Sequence, residues 1–232
     1  MGNKKSPFGF TVGAATGNGL DAIQGQRDGG LARSVRVGTF GFGAASLLVF
    51  GSWAWMGRWL FRSLGEAGTY AVWAVVFIGV AGAGLRRLLG VPVSMARFLV
   101  FFLVAFGTYA LVWSASWFAL RTQLGEWLAS LLGTMSFCAV LCWAFGAWRV
   151  FVRVGLVVFA LHSAGYFAGG WLHAWVLGGT FPAEWLGKAA RADMSKLLWG
   201  AVYGCGFGAG LGYAFHACQR ADDGRAGAKL KA

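Results

Sequence analysis

His162, Tyr166, Gly169 and His173 have the residue types and the spacing to do chemistry together. At 100° per residue they fall within a narrow arc of a helix, with the two histidines ~16 Å apart along its axis. An imidazole inside an apolar helix has three roles open to it: cofactor ligand, wall of a polar path, or neutral group bonded to a carbonyl or hydroxyl of an adjacent helix. Haem ligation needs a second axial donor. His216 is the candidate, on a stripe with Cys205, Ala209 and Gly212. Counted inward from Arg153 and Arg220, the imidazoles of His162 and His216 sit at depths ~7 Å apart, a poor match for one ring plane. No cofactor is therefore expected. A polar path lined by His162, Tyr166 and His173 is the second role.

Two further constellations are small-residue faces. Ser130, Thr134, Cys138 and Cys142 recur every four residues, a packing stripe whose hydroxyls are expected to bond the carbonyl one turn back. Gly200, Gly204, Gly208 and Gly212 do the same, with Gly206 and Gly210 interleaved. A ribbon without side chains lets another backbone approach closely, as GxxxG faces do in lipid. The run Gly204 to Gly212 spells GxGxGxGxG and resembles the glycine motif in the inner helix of rotary ATP synthase ring subunits. The resemblance covers those residues alone. It would imply proton-carrying rotor chemistry, yet no carboxylate lies inside any apolar block.

That absence reaches further. Ion-coupled transport ordinarily uses intramembrane carboxylates, and no Asp, Glu, Lys or Arg falls within the apolar blocks. There is no P-loop, HExxH or Gly-x-Ser-x-Gly motif, so neither a nucleotide site nor a hydrolase site is indicated. The four cysteines include no CxxC pair and read as small apolar residues rather than a disulfide or zinc framework. No metal site and no enzyme activity are expected.

The elements that must position these residues follow from composition. The chain has 232 residues, 58% of them hydrophobic and 12% charged, far more apolar than a soluble domain. The apolar residues come in blocks long enough to span a bilayer, and they do not alternate as barrel strands do. The fold expected is an all-α integral membrane protein, a bundle of about six transmembrane helices without a large soluble domain. The spans drawn are Val37–Gly57, Gly68–Leu85, Phe98–Leu120, Trp127–Trp148, Val154–Gly178 and Leu197–Ala217. Residues 1–36 form a flexible basic cytoplasmic arm, 37–217 the transmembrane domain, and 218–232 a cytoplasmic tail. The start Met1-Gly2-Asn3-Lys4-Lys5-Ser6 matches the myristoylation pattern, which needs a eukaryotic enzyme. The loop Gly179–Lys196 has room for a short surface helix starting at Pro182.

Orientation follows from the cations. Fourteen Lys and Arg fall in the two terminal segments, the loop of Arg86, Arg87 and Arg97, and the turn of Arg149 and Arg153; six fall in the other loops. The excess places both termini in the cytoplasm. Trp55, Trp59, Trp73, Trp117, Trp127, Trp185 and Trp199 then gather at the outer boundary, where indoles prefer to lie. The net charge of +12 is thus a matter of topology and points to the lipid bilayer, not to nucleic acid. Arginine outnumbers lysine and Ala and Gly abound, which fits a bacterial inner-membrane protein.

Two places leave alternatives open. The Arg149–Arg153 turn holds no Gly or Pro, so one long bent helix and five spans is the competing layout there. The outer loops 62–66 and 121–126 both carry Arg, Leu-Gly and Glu. They read either as a duplicated hairpin or as helix-end chemistry, with Gly as the left-handed cap. For function, the Gly ribbon and the lack of titratable core groups point first to a non-enzymatic structural or accessory subunit, associating with other membrane subunits or itself through the sixth span. A permease or channel for a small neutral or weakly polar solute comes second, and a haem-binding redox subunit third.

Overall fold

The computed structural model describes residues 20–89, 93–178, 181–182 and 185–229, with side chains described between 30 and 221. The start of the basic arm, with its myristoylation-like Met1–Ser6 segment, and residues 230–232 of the tail lie outside them. The described residues are helical throughout, without strands. The helices are α1 (Leu20–Val76), α2 (Gly82–Leu85), α3 (Met95–Leu120), α4 (Gln123–Phe145), α5 (Phe151–Leu177) and α6 (Lys188–Lys229). A π-helical segment, Phe77–Ala81, joins α1 to α2, and short 3-10 turns cover Arg86–Leu88 and Trp148–Val150. α1 thus begins at Leu20, ahead of the apolar block drawn from Val37.

α1 is two arms. Gly65 breaks it with φ 68° and ψ −177°, a conformation that a side chain disfavours. Beyond the break the chain folds back: Trp73 Nε1 donates to Ser52 Oγ at 2.8 Å, and the rings of Phe42 and Phe77 stack at 5.1 Å. The backbones close up at the far end, where a Cβ built on Gly84 would stand 2.9 Å from Gly41 Cα. Gly65 is thus where the chain breaks, but with ψ −177° it lies outside the left-handed helical region that an ordinary glycine cap occupies. In the second loop the same letters do something else. Arg121 itself is left-handed (φ 47°), Thr122 caps α4 by accepting from the Gly125 N–H at 3.1 Å, and Gly125 is inside the helix. The two loops share composition but not conformation.

The turn between α4 and α5 comes earlier than Arg149. Gly146 is left-handed (φ 64°) and closes α4 with bonds to Cys142 and Trp143 carbonyls. The span drawn to Trp148 therefore stops at Phe145. The helices then run antiparallel: Trp127 stacks on Phe167 at 4.1 Å, and Gly155 abuts the Met135 thioether. A single bent helix across this region is not what forms. Pro182 lies in a bend, and the outer helix expected from it starts instead at Lys188 as the head of α6.

Four helical stretches are long and apolar enough to cross a membrane: Gly30–Leu88, Met95–Leu120, Gln123–Phe145 and Trp148–Leu177. The first of these is the one folded at Gly65. Leu197–Ala217, drawn as a span, is not among them, because its glycines contribute little apolar surface. Yet this segment is the centre of the bundle, packed on α1 along one side and α5 along the other. Interlocked phenylalanines fill the space between helices, with Phe42, Phe98, Phe101, Phe102, Phe137, Phe207 and Phe215 all fully buried. Apolar burial gives helices in lipid little reason to associate, so such ring contacts and close backbone packing must hold the bundle. Each well-placed aromatic pair contributes about 0.5–1.5 kcal/mol.

Candidate functional site

α6 carries two different faces, and the site lies on the second. On the first, a Cβ at Gly200 would stand 2.6 Å from Phe50 Cβ, and one at Gly204 2.7 Å from Ser46 Cβ. Gly208 lies against the Gly38 carbonyl and Gly212 against that of Ser34. Ser46 Oγ locks this seam by donating to the Gly200 carbonyl at 2.7 Å. The interleaved glycines face α5, where a Cβ at Gly206 would stand 2.6 Å from the Leu161 carbonyl. The partner of the ribbon is therefore within the same chain.

The remaining face of α6 presents Trp199, Tyr203 and Phe207, one turn apart. Against it α5 sets His162, Tyr166 and His173, and α3 sets Tyr109 and Trp113. His162 is fully buried. Its Nε2 is 2.8 Å from Tyr109 Oη, which is 3.2 Å from Tyr203 Oη. One proton arrangement satisfies all three, with each neighbouring pair sharing one hydrogen. Tyr166 stacks on His162, ring planes within 5° at 6.1 Å, and meets Trp199 at 5.8 Å. Trp199 in turn meets His173 at 5.3 Å, and His173 stacks on Trp53 at 6.4 Å. A continuous column of rings thus runs from mid-bundle His162 to Trp53.

Within this column four polar atoms are buried with no hydrogen-bond partner among the described residues: His162 Nδ1, Trp113 Nε1, Trp199 Nε1 and His173 Nδ1. The hydroxyls of Ser130 and Ser163 share that state on the α4 side. A buried unpaired polar group costs ~1–3 kcal/mol, so folded proteins leave few of them. Trp53 opens onto a cleft of about 580 Å³ beside Arg58, Arg62, Asp193 and Lys196, where Lys196 Nζ sits over the Trp53 ring at 5.2 Å.

The structure brings His162, Tyr166 and His173 onto one inward face and leaves His216 apart. His216 lies near Gly30, beside Arg149, Arg153 and Arg220, while Phe207 closes over His162 at 4.8 Å. Gly169, the position where a flat ring could approach, receives the Trp199 indole. The residues present do not form a site for a haem between His162 and His216.

The α4 stripe is fully buried at Ser130, Thr134, Cys138 and Cys142. Thr134 Oγ1 bonds the Ser130 carbonyl at 2.7 Å, the turn-back bond its spacing suggests. Cys142 finds its nearest thiol on another helix, Cys218 at 3.7 Å, and not at Cys138 one turn away. No group of His, Cys, Asp and Glu side chains suited to holding a metal ion occurs among the described residues.

Reading the sequence missed Tyr109, Trp113 and Tyr203, and took Trp199 for an interfacial residue. The available signal was a tyrosine hydroxyl deep within an apolar block, which must find a polar partner. No family model matches the chain, and neither does any curated protein or solved structure.

Proposed function

We propose that this chain crosses the bacterial inner membrane six times with both termini in the cytoplasm, and that it binds and passes a small neutral or weakly polar solute along the His162–Trp53 column. The unpartnered polar atoms of His162, Trp113, Trp199 and His173 carry this reading. They line one column between α3, α5 and α6, so a solute with a few donors and acceptors can exchange from one to the next. The absence of carboxylates from the apolar blocks favours an uncharged cargo without ion coupling. The fold-back at Gly65 supplies two crossings within Gly30–Leu88, and the central position of α6 supplies the sixth.

The accessory-subunit reading draws on the glycine ribbon together with the lack of titratable core groups. That ribbon is occupied by α1 and α5 of the same chain, so it no longer favours an external partner.

The test is uptake into proteoliposomes of a panel of small solutes such as polyols, urea and short amides. Trp199→Phe and His173→Ala should change the uptake of at least one solute several-fold while the amount of folded protein stays constant. Identical rates for empty, wild-type and variant vesicles across the panel would remove the proposal.

A further inference from the structure

At the end of the bundle opposite Trp53, α1, α5 and α6 enclose a second cleft of about 430 Å³. Arg149 and Arg153, one turn apart, line one side, and His216 and Arg220, also one turn apart, line the other. Tyr213 and Leu31 complete the wall. Arg149 is held in place: its Nη2 donates to the Ala221 carbonyl at 2.6 Å, leaving other guanidinium donors to face the cleft. The carboxylates with described side chains, Glu66, Glu126 and Asp193, belong to the outer turns and the head of α6. The ion pair found among the described residues, Lys196–Asp193 at 3.9 Å, is at that other end. Three guanidiniums thus converge where no described carboxylate balances them.

Guanidiniums in this arrangement suit a phosphate group, which accepts several N–H bonds at once. The surroundings decide which phosphate. Val152 and Leu156 follow Arg149 and Arg153 along α5 and are 61% and 51% exposed, forming an apolar strip that leads away from the cleft. Trp148, 51% exposed, stands beside it as an indole does at a headgroup layer. We infer that this cleft is a binding site for the phosphate headgroup of an anionic phospholipid, whose acyl chains lie along the Val152–Leu156 strip. The inference rests on the membrane placement of the chain and is independent of the solute column.

The experiment uses the full-length protein extracted in a mild neutral detergent. Its thermal midpoint is followed on adding phosphatidylglycerol, phosphatidylcholine or inorganic phosphate. Phosphatidylglycerol should raise the midpoint by several degrees, phosphatidylcholine and millimolar inorganic phosphate by much less, and salt should shrink the difference. Arg153→Gln and Arg220→Gln, both exposed, should lose most of the response, while Arg58→Gln in the other cleft keeps it. Arg149→Gln is avoided as the primary probe because its bond to Ala221 is structural. Equal responses to both lipids, or an undiminished response in both cleft variants, would overturn the site. A matching shift with inorganic phosphate would overturn the lipid as its source. Appearance of the lipid preference only after Asp222→Asn and Asp223→Asn would also overturn it, since those neighbours would then be the native counter-ions. Recovery of the chain in the soluble fraction would strike at the membrane placement instead.

Discussion

The two working faces of α6 are built on opposite principles. Towards α1 the helix has almost no side chains, and backbone meets backbone along Gly200, Gly204, Gly208 and Gly212. The fully buried Ser46 hydroxyl that α1 brings to this seam has a partner. Towards α3 and the inward side of α5 the helix carries Trp199, Tyr203 and Phe207, and polar atoms around them are left unpaired. Among the described residues the glycine seam is closely packed and holds no buried side-chain polar atom without a partner. The ring column has bulk, adjustable rings and unmet hydrogen bonds. A rigid seam beside an unsatisfied column suits a helix that is fixed on one side so that the other can hold a ligand.

The harshest way to break this contrast is to put bulk into the seam. Gly208→Leu drives a side chain into the Gly38 carbonyl, and neither backbone can retreat without moving its helix. Overpacking of this kind costs at least ~1–3 kcal/mol even where side chains can shift. Loss of monodisperse protein on size-exclusion chromatography in detergent is expected. Gly107→Leu is the control, because a Cβ there meets nothing within 4 Å, and it should elute as wild type.

A milder break lies in the column. Tyr109→Phe removes the hydroxyl between His162 and Tyr203 and strands one further nitrogen in the core. A loss of ~1–3 kcal/mol is expected, read as a lower midpoint in denaturation. Trp199→Phe should behave differently. It deletes an N–H that has no described partner, so stability should change by less than ~1 kcal/mol apart from lost packing, while solute uptake changes. If Trp199→Phe destabilised as much as Tyr109→Phe, its indole N–H would have a partner in the folded protein, and the contrast between the faces would fail.

How much of this was legible beforehand depended on what each residue reports. The glycine ribbon and the α4 stripe are periodic, and periodicity survives in a sequence. Which helix the ribbon meets does not, because glycine fits any backbone; Gly38 lies at the start of the first span drawn, and Ser34 falls in the segment expected to be a flexible arm. His162, Tyr166 and His173 were found from spacing on one helix. Their partners Tyr109 and Tyr203 lie far off in the chain, and only the tertiary fold joins them. The thiol pair illustrates the same limit: Cys142 meets Cys218, although Cys138 is the neighbour its spacing suggests. The Gly146 turn was missed for another reason. The charged pair Arg149 and Arg153 marks the polar boundary, whereas the chain reverses at Gly146, the glycine at the end of α4 able to take a left-handed conformation cheaply.

The smallest effect expected comes from that turn chemistry, and it bears on whether the two echoing outer loops are copies of one device. Gly65 and Arg121 both have positive φ, 68° and 47°. Only the first is glycine, and its ψ of −177° lies where side chains are excluded. Arg121 sits in the ordinary left-handed region, which costs a non-glycine residue ~1–2 kcal/mol. Gly65→Ala should therefore destabilise by ~1–3 kcal/mol, and Arg121→Gly should stabilise by up to ~1 kcal/mol, both read as shifts in denaturation midpoint. Gly125→Ala has a different cause of loss, because a Cβ there would stand 2.9 Å from Leu120 Cβ. If the loops were one duplicated device, Gly65→Ala and Gly125→Ala would respond alike, and a second change that removes the Leu120 Cβ, Leu120→Gly, would rescue neither. Rescue of Gly125→Ala alone would establish that the shared letters in the two loops serve a strained turn in one and a tight helix start in the other.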